Sequence, residues 1–250
     1  MKITTWNCNG ALRNKLVQIE RLDADVIIVQ ECEDPKKSTQ MYKAWAINYI
    51  WEGENKNKGI GVFAKPGIKL ERLNWSKSLN LLDNDNPKLA WKTSELRQFI
   101  PFSINDKYTC VAVWTKGRGD EVFGYMGQFW KFLQLHKTDL AEDQVLVAGD
   151  FNSNKIWDKP DRWWSHTDVV HDLNSIGLVS LYHLQNNESQ GQEKTPTLFH
   201  QRNVLKPYHI DYIFAGKVFQ KDFEINVGRE EIWLGYSDHM PVSLLFHNNK

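Results

Sequence analysis

The chain has 250 residues, 41% of them hydrophobic, enough to bury a substantial core as one large domain or two small ones. Its 31 basic and 31 acidic residues cancel, so net charge draws no polyanion and any nucleic-acid contact must come from a local patch. Three cysteines, Cys8, Cys32 and Cys110, form an odd set without metal-ligand spacing, and the latter two, in or beside apolar runs, read as reduced small hydrophobes.

In chain order, Met1 to Trp6 lacks the apolar run of a signal peptide, and no later span approaches membrane length. The expectation is a soluble, cytoplasmic monomer with no membrane span. Lys2 to Trp6 is short and β-prone and stops at the turn cluster Asn7-Cys8-Asn9-Gly10, which puts Asn7 at a strand end. Leu12, Leu16, Ile19 and Leu22 then predict an amphipathic helix over residues 11–22. Val26 to Val29 is apolar without alternation, as in a strand buried on both faces, and ends at Gln30-Glu31. If these two strands are parallel, Asn7 and Glu31 lie at corresponding ends.

A polar loop from Glu52 to Lys58 leads into a strand over Gly59–Ala64, residues 74–88 read as loop, and Arg97–Phe102 and Tyr108–Trp114 read as strands. Asp120 is a candidate N-cap for a helix whose Phe123, Met126, Trp130 and Leu133 face the core. Val145 to Ala148 is the next strand. It breaks at Gly149 and presents Asp150 and Asn152 at i and i+2, which is either a plain Asx turn or an acid and an amide converging on one polar target. An aromatic loop from Ile156 to His166 precedes a short helix capped by Thr167, with Gly177 at its C-terminal end. Residues 185–194 read as a mobile polar loop, Ile210–Phe214 as a strand carrying Asp211, and Pro241–Phe246 as a final strand entered through Asp238 and His239. No linker divides the chain, so a single α/β domain over residues 1–250 is expected.

Asn7, Glu31, Asp150, Asn152, Asp211, Asp238 and His239 all fall at strand ends. Several carboxylates at one rim repel one another unless a hard cation sits among them, and carboxylate, amide and water oxygens suit Mg2+ or Mn2+. Zinc is disfavoured, because no Cys or His pair has the usual spacing. A cation so held can polarise a phosphate and organise an attacking water, which points to metal-assisted hydrolysis of a phosphate ester.

The chain also resembles the endonuclease/exonuclease/phosphatase superfamily, with its deoxyribonuclease I-like fold, over essentially its whole length. The matching stretches are Thr5-Trp6-Asn7-Cys8-Asn9-Gly10, Val29-Gln30-Glu31-Cys32, Gly149-Asp150-Phe151-Asn152-Ser153-Asn154, His209-Ile210-Asp211-Tyr212-Ile213 and Ser237-Asp238-His239-Met240-Pro241. The resemblance implies an α/β fold, a four-layered α-β-β-α sandwich with two mixed β-sheets. It implies that Glu31 is the principal metal ligand, with Asn7 close to the metal or phosphate and Asp238 near the metal. Asp150 is implied to orient or deprotonate the attacking water, and Asn152 to hold a phosphate oxygen. His239 is implied to donate to the phosphate while Asp211 fixes its imidazole.

One departure bears on substrate. Where the family usually has a His or Tyr reaching the phosphate, this chain has Trp114-Thr115-Lys116, and tryptophan offers only an indole donor. Lys116 or Arg118 is a candidate cationic substitute, the alternative being a basic solvated loop. Trp157, Arg162, Trp163 and Trp164 could stack on bases, although aromatics folded onto the core are the preferred reading. Thr197 and His200 are similar to a family stretch bordering the site and are further candidates for substrate binding. The leading expectation is a magnesium-dependent phosphodiesterase acting on nucleic acid, DNA or RNA. The alternatives are hydrolysis of a small phosphate ester, an inositol phosphate or a phospholipid headgroup, and, less favoured, a non-catalytic binding protein.

Overall fold

The computed structural model describes residues 1–80, 90–117 and 122–247. The strands, in chain order, are β1 (Lys2–Asn7), β2 (Val26–Cys32), β3 (Tyr49–Asn55), β4 (Lys58–Ala64), β5 (Leu70–Arg72), β6 (Ser78–Asn80), β7 (Ala90–Lys92), β8 (Phe99–Ile104) and β9 (Tyr108–Trp114). They continue with β10 (Val145–Asp150), β11 (Val179–Ser180), β12 (Leu198–Phe199), β13 (Pro207–Tyr208), β14 (Asp211–Ala215), β15 (Phe223–Val227) and β16 (Val242–Phe246). The α-helices are α1 (Leu16–Glu20), α2 (Gln40–Trp45), α3 (Met126–Leu140), α4 (His166–Ser175), α5 (Leu181–Asn186) and α6 (Glu230–Trp233).

Two six-stranded sheets carry the fold, in the orders β15-β16-β1-β2-β4-β3 and β11-β14-β10-β9-β8-β5. Both are mixed. β1 and β2 run parallel with Asn7 beside Gln30, and β9 and β10 run parallel with Trp114 beside Asp150, while the other pairings within the two sheets are antiparallel. The inner faces of the sheets share one core, in which Ile3, Ile28 and Val62 meet Phe102, Ala112 and Ala148. On the outer face of the first sheet Leu12, Leu16, Ile19 and Tyr42 cover Ile27, Val29 and Phe63, and on that of the second Phe129, Phe132, Val169 and Leu173 cover Val111, Val147 and Phe214. That is the four-layered α-β-β-α sandwich. Sheets buried on both faces explain why β2 and β10 read as unbroken apolar runs.

Local structure departs from the sequence pattern in instructive places. Leu12, Leu16, Ile19 and Leu22 are all buried, but the predicted helix over 11–22 is two pieces, a 3-10 turn (Leu12–Asn14) and α1. The break falls at Lys15, whose backbone, at φ −127° and ψ 19°, is not helical. The buried Glu33 carboxylate accepts from the Leu12 and Arg13 N–H groups at 2.9 and 3.1 Å, and Lys15 turns back to donate to the carbonyls of Cys8 and Gly10. The expected loop from Glu52 to Lys58 is largely the hairpin of β3 and β4, and β6, inside the stretch read as loop over 74–88, pairs with β7 just beyond it, while residues 81–88 of that stretch lie outside the described residues. Phe99–Ile104 replaces the expected strand Arg97–Phe102. Asp120, the expected cap of α3, also lies outside the described residues, and Tyr125 occupies the N-cap position. α4 is capped by Ser165 in a reciprocal box with Asp168, not by Thr167, whose hydroxyl instead donates to Asp158. Gly177, at φ +85°, closes α4 as expected. Residues 185–194, expected to be mobile, are tied down: Glu193 accepts from His183 at 3.0 Å and from the Gly191 N–H at 2.9 Å.

Candidate active site

Asn7 ends β1, Glu31 lies at the end of β2, Asp150 ends β10 and Asp211 begins β14, so both sheets contribute to one rim. Gln30 ties the sheets together just below it, its amide donating to Thr5 Oγ1 at 2.9 Å and to the Val113 carbonyl at 3.2 Å. Gly149 is required by close approach, since a β-carbon there would stand 1.8 Å from the Val113 carbonyl oxygen.

Asp150 is buried and held by three donors. Its Oδ2 accepts from the Asn7 amide at 2.9 Å and the Asn152 amide at 3.0 Å, and its Oδ1 accepts from the Asn152 N–H at 2.8 Å. Asn152 makes both bonds because its backbone is left-handed, at φ +45°. Burial raises the Asp150 carboxyl to about 7, with His239 pulling it down and Asp211 adding to the rise. Asp211 stands opposite Asp150 in register and accepts from His239 Nδ1 at 2.9 Å. For His239, burial pulls the pKa down, but the carboxylates of Asp211 and Asp150 outweigh it and bring it to about 10. The imidazole is therefore a cation at neutral pH.

The motif around His239 is anchored from β1. The Trp6 indole donates to the His239 carbonyl at 3.0 Å, and Ser237 Oγ donates to the Asn7 carbonyl at 2.7 Å while accepting the His239 N–H at 3.0 Å. Glu31 sits on a bulge in β2 at φ +63°, which turns its carboxylate out of the ladder. Its Oε1 lies 3.4 Å from the Asn7 amide nitrogen and its Oε2 2.8 Å from Lys58 Nζ.

Among the sequence-predicted residues, Asn7, Glu31, Asp150, Asn152, Asp211 and His239 come together. Asp238 joins them through Asn9, whose amide donates to Asp238 Oδ1 at 2.8 Å and whose N–H donates to Asn7 Oδ1 at 3.0 Å. Asn7 thus presents its amide nitrogen to the two carboxylates. Two expectations on the substrate side change. Trp114, only 2% exposed, belongs to the core between the sheets, so its indole cannot be a substrate contact. Thr197 is fully buried, and its hydroxyl accepts the N–H groups of Ile210 and Asp211 at 2.9 and 3.0 Å, so it orients the strand carrying Asp211 instead of touching substrate. His200 is exposed on a 3-10 turn (His200–Arg202) beyond β12. Lys116 is exposed and stands 4.5 Å from the centre of the Trp114 ring, and Arg118 lies outside the described residues.

Sequence reasoning missed Asn9, Asn154, Ser237 and Lys58. The first three lie inside the motif stretches, but their value as tethers depends on partners far along the chain. Asn154, for example, donates to the His209 carbonyl at 2.8 Å and to Glu193 at 3.1 Å. Behind Asp211, burial lowers His209 to about 4, and Glu193 falls to about 2 because hydrogen bonds from His183, Gly191 and Asn154 overcome its burial.

A cleft of about 220 Å³ opens beside Asn152 and is lined by Tyr125, Trp157, Lys159, Arg162 and Trp164. Trp157 and the neighbouring Trp163 are 45% and 62% exposed, whereas Trp164 packs on Phe123, so only part of the aromatic loop folds onto the core. A larger apolar cleft, about 270 Å³ and lined by Ile27, Trp45 and Phe63, lies on the outer face of the first sheet away from this chemistry.

The donor set fits a hard divalent cation. Glu31 is a partly exposed carboxylate already placed against a cationic ammonium, with Asp150 beside it through Asn7. Asp150, Asp211 and His239 also bring ligand atoms within 4.8 Å of one another. There, however, the imidazole is protonated and its Nδ1 is committed to Asp211, so these three are better suited to moving a proton than to enclosing a metal.

A four-layered sandwich with a metal-competent carboxylate and a buried Asp–His pair at one rim defines a hydrolase of phosphate esters. Residues 4–239 match the Endonuclease/Exonuclease/phosphatase family, and the chain belongs to it. That family is divalent-metal dependent. Among solved structures the chain is similar to the 3'-5' exonuclease NExo from Neisseria meningitidis, at 18% identity and a TM-score of 0.68, covering 98% of this chain and 99% of that one. It is similar to a substituted form of the Neisseria 3' phosphatase NExo bound to a product DNA hairpin, at 18% identity and 0.67, covering 99% of each chain. It is also similar to an AP endonuclease from Archaeoglobus fulgidus, at 15% identity and 0.68, covering 98% and 99%. No curated protein matches the chain by sequence. No helix among the described residues is long and apolar enough to cross a membrane.

Proposed function

We propose that this protein is a nuclease, a magnesium- or manganese-dependent phosphodiesterase that cleaves nucleic acid by attack of water on phosphorus, with the whole chain acting as one catalytic domain. The observation that carries the reading is Asp211 at 2.9 Å from His239 Nδ1, beside a buried Asp150 oriented by Asn7 and Asn152.

Glu31 would hold the divalent ion, with Asp238 and Asn9 at the edge of the site; the ion supplies Lewis-acid polarisation of the phosphate. Asp150, with its carboxyl raised to about 7, is poised to accept a proton from the attacking water near neutrality. Asn7 aligns that carboxylate. Asn152 presents an amide donor to a phosphate oxygen once substrate competes for its bond to the Thr115 carbonyl, 3.1 Å long. His239, kept protonated by Asp211, faces the phosphate with a cation and a proton.

Nucleic acid is favoured as substrate by the exposed Trp157 and Trp163 with Lys159 and Arg162 around the cleft that reaches Asn152, since aromatic faces and cations together bind bases and backbone. The similar exonuclease and AP endonuclease agree with this reading. The neutral net charge favours the alternative, a small phosphate ester. A panel of single- and double-stranded DNA, RNA, inositol phosphates and phosphorylcholine, assayed with Mg2+ and with Mn2+, separates the two. Turnover of a nucleic acid is expected, and turnover confined to the small esters would reject the nuclease.

A further inference from the structure

Lys58 belongs to none of the motifs that define the site, yet its ammonium is 2.8 Å from Glu31 Oε2. The contact is built by two irregularities. The bulge at Glu31 in β2 turns the carboxylate outward, and a register shift between Gly53 and Asn55 in the β3–β4 hairpin brings Lys58 opposite Asn55 at the start of β4. The same ammonium stands 5.7 Å from the centre of the Trp114 ring, and Lys116 stands 4.5 Å from that ring. Two lysines thus converge on the buried indole at the position where a polar side chain would have reached the phosphate.

A divalent cation at Glu31 Oε2 would compete with the Lys58 ammonium for that oxygen, because the two positive charges repel each other there. The pair is also weak: Lys58 and Glu31 side chains are 47% and 20% exposed, so solvent screens their attraction and little holds the lysine there. A long flexible stem lets the ammonium move without moving the backbone. Trp114 offers it an aromatic face on the way, and a bound phosphate offers it a new counter-charge.

We propose that Lys58 is a substrate-phosphate ligand coupled to metal loading: it neutralises Glu31 in the metal-free protein, gives up that carboxylate when a divalent ion binds, and then contacts the phosphate together with Lys116 across Trp114. This rests on the reading of Glu31 as the metal ligand. In that arrangement the pair of lysines replaces the polar group that Trp114 cannot provide. Metal binding and phosphate binding are then coupled through one side chain, because a cation on Glu31 repels Lys58 and favours its contact with phosphate.

The test uses the full chain and its K58M, K58R and E31Q variants, each first shown to melt cooperatively as the wild type does. Mn2+ binding is measured by electron paramagnetic resonance without substrate, and binding of inorganic phosphate by calorimetry with Mn2+ present. K58M should tighten the Mn2+ Kd about threefold, the scale of an exposed ion pair. It should weaken phosphate about tenfold, the scale of one hydrogen bond to a charged group. K58R should recover most of the phosphate affinity. Unchanged Mn2+ affinity in K58M, or unchanged phosphate affinity, overturns the coupling, provided E31Q has lost Mn2+. If E31Q binds Mn2+ like the wild type, the placement of the metal at Glu31 fails, and the role of Lys58 fails with it.

Discussion

Asp150 faces Asp211 directly across the antiparallel pairing of β10 and β14, so two buried carboxylates occupy one register position with the His239 imidazole close to both. Like charges so close raise each other's cost of ionisation, and burial makes that cost larger. The fold avoids two bare carboxylates by giving Asp211 the imidazolium and Asp150 three hydrogen-bond donors. The expected consequence is a bell-shaped dependence of kcat/KM on pH. The rate should rise as Asp150 loses its proton around pH 7 and fall as His239 loses its own around pH 10. A profile without an alkaline limb would remove His239 from the role of acid.

Asp211→Asn separates orientation from acidity. It keeps a partner for the imidazole but removes the nearest charge that raises its pKa. The alkaline limb should therefore move to lower pH, and the rate at neutral pH should fall by about a hundredfold or more, the scale of acid–base groups. His239→Ala should lose as much and abolish the limb. A purely structural Asp211 would lower stability and leave the limb where it was.

Gly149→Ala tests the join between β9 and β10. The added carbon would meet the Val113 carbonyl oxygen at 1.8 Å, and neither strand can withdraw without breaking the ladder that positions Asp150. The expected loss is about 3 kcal/mol, the upper range of overpacking, measured by urea unfolding. A loss under about 1 kcal/mol would show that this strand end yields more easily than a packed interior does.

The buried histidine behind Asp211 gives stability an acid-side dependence of defined sign. His209 has a folded pKa of about 4, below its ordinary 6.5, so its contribution is present above pH 6.5 and lost as pH falls toward 4. The shift corresponds to a change on the order of 3 kcal/mol across that window. Asp150, raised from 3.8 to about 7, acts in the opposite direction, gaining stability as pH falls over much of the same range. The readable quantity is therefore the difference between wild type and His209→Gln. The stability advantage of the wild type in urea should shrink as pH goes from 7 to 4. A constant difference would mean that His209 is not buried neutral.

Much of this site was legible because strand-end chemistry is local. A β-prone run ending in Asn7, apolar runs ending in Glu31 and Asp150 and one that starts at Asp211 announce both the strands and their tips, and parallel β1 and β2 bring the first two together. What escaped depends on contacts between distant segments. The start of the helix over 11–22 is held by Glu33, well beyond it, which takes two first-turn N–H groups, and the helix breaks at Lys15, whose ammonium turns back to the carbonyls of Cys8 and Gly10. Thr197 carries a hydroxyl suited to substrate but spends it on two N–H groups of the Ile210–Asp211 turn. Trp114 marks the departure correctly in sequence, yet only the packed structure shows the indole sealed in the core with Lys58 and Lys116 over it.

The cleft beside Asn152 yields the prediction that separates nucleic acid from small esters. Trp157 is 45% exposed and tilts against Tyr208 with ring centres 5.0 Å apart, which leaves an aromatic surface open beside Lys159 and Arg162. A base stacked there would contribute about 1–3 kcal/mol, so Trp157→Ala should raise KM for an oligonucleotide by about tenfold or more. Turnover of a small phosphodiester that carries no base should be unaffected, because the substitution leaves Asp150 and His239 in place. Arg162→Gln should weaken oligonucleotide binding more at low salt than at high salt, since it removes one phosphate neutralisation. Equal losses on both substrates would mean that Trp157 supports the fold of its loop and does not read a base.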